Sequence, residues 1–153
     1  MPEKVTLERA REDAREGKSP STQAGEFVRE EMHHIREGKH GAASPQQAIA
    51  IGLSKARRAG VKLAAPQPGK TSARTRTQAQ RDLRKGQSSR RRKPSARRSR
   101  AVSGALKKKG RSAASHKSLS QQARRAASRR GPTSRHRAAQ KAARTRAAHR
   151  RAA

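Results

Sequence analysis

The sequence contains no cysteine, no tryptophan and no tyrosine, and its single phenylalanine is Phe27. Without cysteine there is no disulfide, no thiolate zinc site and no thiol nucleophile. With no Phe, Trp or Tyr in the basic tail there is no platform there on which nucleobases stack, so the single-strand and RRM modes of nucleic-acid recognition are not expected. Large apolar side chains are scarce too. Val, Ile, Leu, Met and Phe together make up 16 of the 153 residues, too few for one compact core of that length. No apolar run approaches the ~18 residues of a membrane span. Acid is confined to the start of the chain: nine of the ten Asp and Glu precede residue 38, and the only later one is Asp82.

What is abundant is positive charge. The 41 Lys and Arg give a net charge of +31. Residues 1–37 are near neutral at −2, whereas residues 38–153 hold 34 basic residues and one acid. Apolar residues run the opposite way, with twelve of the 16 in residues 1–63 and only Leu83, Val102, Leu106 and Leu119 beyond. This asymmetry predicts a small head, a long cationic tail and a polyanionic partner. The opening residues carry acids at once and lack an apolar h-region, so neither a secretory nor a transit peptide is expected. The expected setting is inside the cell, with nucleic acid.

Local patterns predict a mostly α-helical chain with extensive disorder. Residues 1–18 read as a solvated charged helix over 4–16, with Leu7, Ala10 and Ala14 as a thin apolar stripe and Gly17 as its stop. Residues 19–63 read as a helical hairpin. Its first helix starts at Ser19-Pro20, places Ala24, Phe27, Val28, Met32 and Ile35 on one face, and ends at Gly38. Its second starts at Ser44-Pro45-Gln46-Gln47, which supplies an N-cap, an N1 proline and the glutamine of a capping box. Ala48, Ile49, Gly52, Leu53, Ala56 and Ala59 form its apolar face, and Gly52 would let a neighbouring backbone come close. Gly60 supplies the left-handed residue after the helix, with Val61 folding back onto Ala56. Residues 64–99, rich in Arg, Ser, Thr and Gln, read as a disordered basic linker. Residues 100–153 read as Ala/Arg-rich helices over 100–109, 118–130 and 133–151. Like charges at i,i+3 and i,i+4 frustrate these helices in water, so they are expected to form on binding phosphate. The stretch Gly110-Arg111…Ala113-Ala114-Ser115 faintly echoes Gly38-Lys39…Ala42-Ala43-Ser44.

Three stretches carry a resemblance. They are Gly25-Glu26-Phe27-Val28-Arg29-Glu30-Glu31-Met32, Glu37-Gly38-Lys39-His40-Gly41, and the run from Ala48 through Ile49, Gly52, Leu53 and Arg58 to Val61. Over residues 22–63 the chain resembles a family of short basic bacterial and phage proteins of unknown function, often labelled DNA-binding or plasmid stabilization proteins. The resemblance implies a bacterial or phage origin, which together with the charge makes the bacterial cytoplasm, at the nucleoid, the expected setting; it brings no established activity with it.

Catalysis finds no footing. There is no nucleophile–base pair, no glycine-rich phosphate loop and no candidate for a buried carboxylate, so neither an enzyme nor a cofactor is expected. His33, Glu37 and His40, with His34 beside them, come nearest to a metal-ligand set. A helix end followed by a Gly-flanked loop offers them no second shell, so they are expected to face solvent or phosphate, with no metal bound.

Nucleic acid is the partner the charge predicts, DNA before RNA. The tail contacts are expected from Arg90, Arg91, Arg92, Lys93, Arg97, Arg98 and Arg100, then Lys107, Lys108, Lys109, Arg124, Arg125, Arg129 and Arg130. Lys55, Arg57 and Arg58 are the only candidates on a well-specified helix. The expected function is nonspecific, electrostatic DNA binding that compacts or bridges DNA. The alternatives are an RNA- or ribosome-associated factor, and an adaptor whose hairpin dimerises or holds a protein partner. Neither a membrane nor a small-molecule substrate is expected.

Overall fold

The computed structural model describes residues 2–88 and 95–152, and among them are seven α-helices, one short 3-10 turn and no strand. The helices are α1 (Lys4–Arg15), α2 (Pro20–Arg36), α3 (Pro45–Arg58), α4 (Ala73–Gln87), α5 (Ala96–Lys107), α6 (His116–Ser128) and α7 (Gly131–Ala152), with the turn at Ser112–Ala114. They fall into two compact units, residues 1–115 and 116–153. None of the described helices is long and apolar enough to cross a membrane.

The local grammar of α2 and α3 is realised. The Ser19 hydroxyl accepts from the Thr22 amide and the Ser44 hydroxyl from the Gln47 amide, each ahead of a proline in the first turn. Gln47 reaches back to the Ala43 amide at 2.7 Å, one residue earlier than a capping box requires. At the far end of α3, the Val61 and Gly60 amides donate to the Ala56 and Arg57 carbonyls, both at 3.1 Å, which is the Schellman arrangement. Val61 is thereby buried beside Ala56, Phe27, Ala24 and Ala10, with Leu7, Leu53, Ala59 and Leu63 packed around them.

In the first unit each helix from α1 to α4 packs on the next, so α2 and α3 are each covered on two sides. Helices α2 and α3 come close at Gly52, where an added Cβ would lie 2.8 Å from the Val28 Cα and 3.0 Å from the Phe27 carbonyl oxygen. Both neighbours are backbone and cannot rotate away. Gly52→Ala gains ~1 kcal/mol of helix propensity, but forcing α2 and α3 apart costs ~1–3 kcal/mol. The expected outcome is a lower urea midpoint for the variant; a raised midpoint would mean that the interface accommodates the methyl.

Three expectations need correction. First, α1 is not merely solvated: Thr6 and Ala10 are buried, and Ala10 belongs to the Phe27 core. Asp13 pairs with Lys18, beyond the end of the helix, at 2.8 Å. Second, residues 64–88 and 95–99, the described part of the expected disordered linker, are ordered. Ser72 caps α4 by accepting from the Thr75 amide at 3.2 Å, and α4 packs on α3 through buried Ala79 and Asp82. A short side of small residues and one ion pair are enough, because α3 is already fixed by α2. Third, the head does not end at residue 63. Gly41 and Ala42 donate their amides to the carbonyls of Leu106 (3.0 Å) and Gly110 (3.3 Å). The following turn buries Ala113 and Ala114, and Arg36 Nε donates to the Ala114 carbonyl at 2.9 Å. The two stretches that echo each other in sequence thus lie in contact. The mostly helical character holds, the extensive disorder does not, and the expected hairpin is the middle of a larger helical unit.

The second unit is α6 packed on α7. Helix α6 begins two residues before its capping-box serine, Ser118, and α7 begins at Gly131, whose φ of 72° turns the chain between the two. Among the described side chains, neither helix buries a residue. Leu119, Gln122, Ala126 and Ala127 are half-buried on one side of α6, the side that a helical partner covers.

Candidate nucleic-acid interface

The basic residues separate into those the fold consumes and those it leaves in solvent. Lys55, Arg57 and Arg58, the candidates on α3, belong to the first group. Lys55 Nζ lies 2.7 Å from Glu31 Oε2 and 3.4 Å from Glu30 Oε1. Arg57 is buried, and donates from Nε to the Leu63 carbonyl (3.1 Å) and from Nη2 to the Ala64 carbonyl (3.3 Å). Burial pushes its pKa down, and the charge of Asp82 works against that fall. Arg58 Nε donates to Asp82 Oδ1 at 2.6 Å, and Gln78 Nε2 donates to the same oxygen at 3.1 Å. Asp82 is fully buried while the Arg58 side chain stays 53% exposed. All three cations therefore serve the α2–α3–α4 packing, and α3 does not have the free basic face of a recognition helix.

The remaining candidates are exposed wherever the structure describes them. Arg97, Arg98 and Arg100 lie on α5, Lys107, Lys108 and Lys109 at its end, and Arg124, Arg125, Arg129 and Arg130 along and just after α6. Arg90, Arg91, Arg92 and Lys93 fall outside the described residues. Lys107 and Lys109 meet Arg111 and His40 around a cleft of about 460 Å³, with Glu37 its only acid. The cleft exists because residues 106–110 lie against Gly41, where an added Cβ would overlap the Lys109 carbonyl. Lys39 sits close by, 2.9 Å from Glu37 and 3.4 Å from Glu3. Those carboxylates raise its pKa, Glu37 first. Lys39 in turn lowers the pKa of Glu37.

The second unit contributes most of what sequence reading left unranked. Residues 116–153 hold twelve Lys and Arg and no Asp or Glu. Within α7, Arg135, Arg137, Lys141, Arg144, Arg146 and Arg150 are all exposed. At about 100° per residue, Arg137, Lys141 and Arg144 fall on one side of the helix and Arg135, Arg146 and Arg150 on the opposite side. The helix has 22 residues, hence a length of ~33 Å, close to the ~34 Å of one DNA turn. The two stripes were legible from spacing once a helix over 133–151 was assumed; counting charge alone hid them.

Apart from the cations, α2 carries a buried acidic pair, Glu30 and Glu31, with the histidines His34 and His40 beside it. Sequence reading grouped His33, Glu37 and His40 instead. His33 turns outward, 65% exposed, and pairs with Glu37 at 2.9 Å.

Compared with models of known protein families, with curated proteins and with solved structures, the chain finds no match.

Proposed function

We propose that the protein binds duplex DNA through electrostatic contacts to phosphate, without reading base sequence, and acts as a nucleoid-associated protein that compacts or bridges DNA. The observation that carries this reading is the all-basic second unit, in which every Lys and Arg lacks an acidic partner within its own unit. A helix lying in the major groove of B-form DNA is flanked by the phosphates of both strands, and the groove admits an α-helix. Opposed basic stripes on α7 match that double flank. The deep, narrow major groove of A-form RNA does not admit side chains in the same way, which favours DNA over RNA. Each phosphate neutralised releases condensed counterions, and the free energy of binding comes mostly from that release. Phosphate also relieves the repulsion among like charges along α6 and α7. The exposed cations around the Lys107–Arg111 cleft in the first unit give the chain a second basic surface, as bridging two duplexes requires.

The test is a salt titration of the full chain against DNA duplex, RNA duplex and single-stranded DNA of equal length. The expected result is a slope of log K against log salt steeper than about −6 on DNA duplex, with DNA duplex bound at least ~10-fold more tightly than RNA duplex. Equal affinity for all three would make the chain a general polyanion binder, and tighter binding to RNA duplex would place it with structured RNA.

A further inference from the structure

We propose that Glu31, His34 and His40 form a binding site for a divalent transition-metal ion, zinc by ligand type. One donor atom from each lies within 4.8 Å of the others. Ligands around tetrahedral zinc at ~2.0–2.1 Å stand about 3.3 Å apart. The Glu31 Oε1 to His40 Nε2 distance is already 3.3 Å, so a small inward movement of His34 completes the triangle.

The surroundings prepare each ligand. Glu31 is fully buried, yet neither of its carboxylate oxygens accepts a hydrogen bond. A buried carboxylate in that state is costly unless a cation meets it. Lys55, at 2.7 Å, meets Oε2, which leaves Oε1 facing the histidines. His34 gives its Nε2–H to Glu3 Oε1 at 2.8 Å, freeing Nδ1. His40 has its Nδ1 3.3 Å from the Gly41 carbonyl, freeing Nε2. Carboxylate and carbonyl partners on the second nitrogen are the supports that fix the tautomer of metal-bound histidine. Glu30 Oε1, 3.9 Å from His34 Nδ1, offers a fourth oxygen, and water is the alternative.

Charge agrees with the geometry. Three carboxylates, Glu3, Glu30 and Glu31, gather at the site in a chain of +31 overall, against the ammonium groups of Lys39 and Lys55 and, across the cleft at His40, Lys107, Lys109 and Arg111. Two imidazoles with one carboxylate suit zinc and its neighbours, whereas magnesium and calcium favour all-oxygen sets. His40 also lines the basic cleft, which gives the ion a path to solvent. Because Glu31 and His34 lie on α2 and His40 in the loop that leads to α3, the ion would tie that loop to the helix.

The experiment is calorimetric titration of zinc chloride into the metal-free full chain in the absence of nucleic acid, paired with thermal unfolding followed by circular dichroism. The expected result is one ion per chain at about 1 μM or tighter, with a raised unfolding midpoint. His40→Ala is expected to weaken binding by ~100-fold, and His33→Ala to leave it unchanged. Should Glu31→Gln or His34→Ala fail to fold, His40→Ala decides, because His40 sits in a loop with its side chain 18% exposed. No binding by wild type at about 100 μM zinc, or wild-type affinity in His40→Ala, overturns the site.

Discussion

Replacing Arg135, Arg137, Lys141, Arg144, Arg146 and Arg150 with glutamine is expected to flatten the salt dependence of DNA binding by up to ~5 units of log K per unit of log salt. Each charge that neutralises a phosphate contributes about 0.9 to that slope on B-form DNA. These six are exposed and lie in a unit that contains no acid, so none is held by a carboxylate of its own unit. The loss of affinity is expected to be ~10³-fold or more at low salt and to narrow as salt rises. Helix content should hold, because glutamine is nearly as good a helix former as arginine and the like-charge repulsion along α7 is removed. Circular dichroism at 222 nm therefore separates lost charge from lost structure. A slope that stays within ~1 unit of wild type would put the contacts elsewhere, with the α5 and cleft cations next in line.

Arg58→Ala is expected to cost the first unit ~3 kcal/mol, and Asp82→Ala only ~1 kcal/mol, although the two residues form one pair. The asymmetry follows from burial. Asp82 is fully buried and keeps only the Gln78 amide when Arg58 is removed, so a carboxylate is stranded away from water. Arg58 is more than half exposed and returns to solvent when Asp82 is removed. The double variant Arg58→Ala/Asp82→Ala is then expected to be more stable than Arg58→Ala alone. Urea midpoints of the three variants check this, and equal costs for the two single changes would show that the pair behaves as a surface salt bridge. DNA binding of Arg58→Ala under folding conditions should stay near wild type, since that guanidinium is engaged within the fold.

The parts of this structure that were legible in the sequence are those written in neighbouring residues. Ser19-Pro20, Ser44-Pro45 and the left-handed glycines Gly17, Gly38 and Gly60 bound their helices because capping and positive φ are local chemistry. Gly52 as a point of close approach was legible for the same reason, being a gap in an apolar face. Helix α4 was not, because its composition of Arg, Thr and Gln averages to disorder. The informative pattern was Ala79, Asp82, Leu83 and Gly86 at helical spacing, with one acid among many bases. A lone carboxylate in a cationic stretch is a place where the fold needs a negative charge. The Glu31, His34 and His40 cluster was hidden differently. Glu30 and Glu31 look like solvated helix residues until α1 and α3 cover both sides of α2, and no local rule announces that. Lys55, Arg57 and Arg58 all have partners within the fold, and charge on a well-formed helix says nothing of whether the fold has claimed it.

The return of residues 106–114 to the α2–α3 loop has a consequence for how the protein is made. Arg36 and the Ala114 carbonyl it binds are 78 residues apart. At ~5–20 residues per second a ribosome takes about 4–16 s to travel that distance. The nascent chain thus exposes its acidic first segment, then α3 with Lys55, Arg57 and Arg58, before Asp82 and Ala113–Ala114 emerge to cover them. The acid-free second unit emerges last, when the head it leaves behind can already be complete.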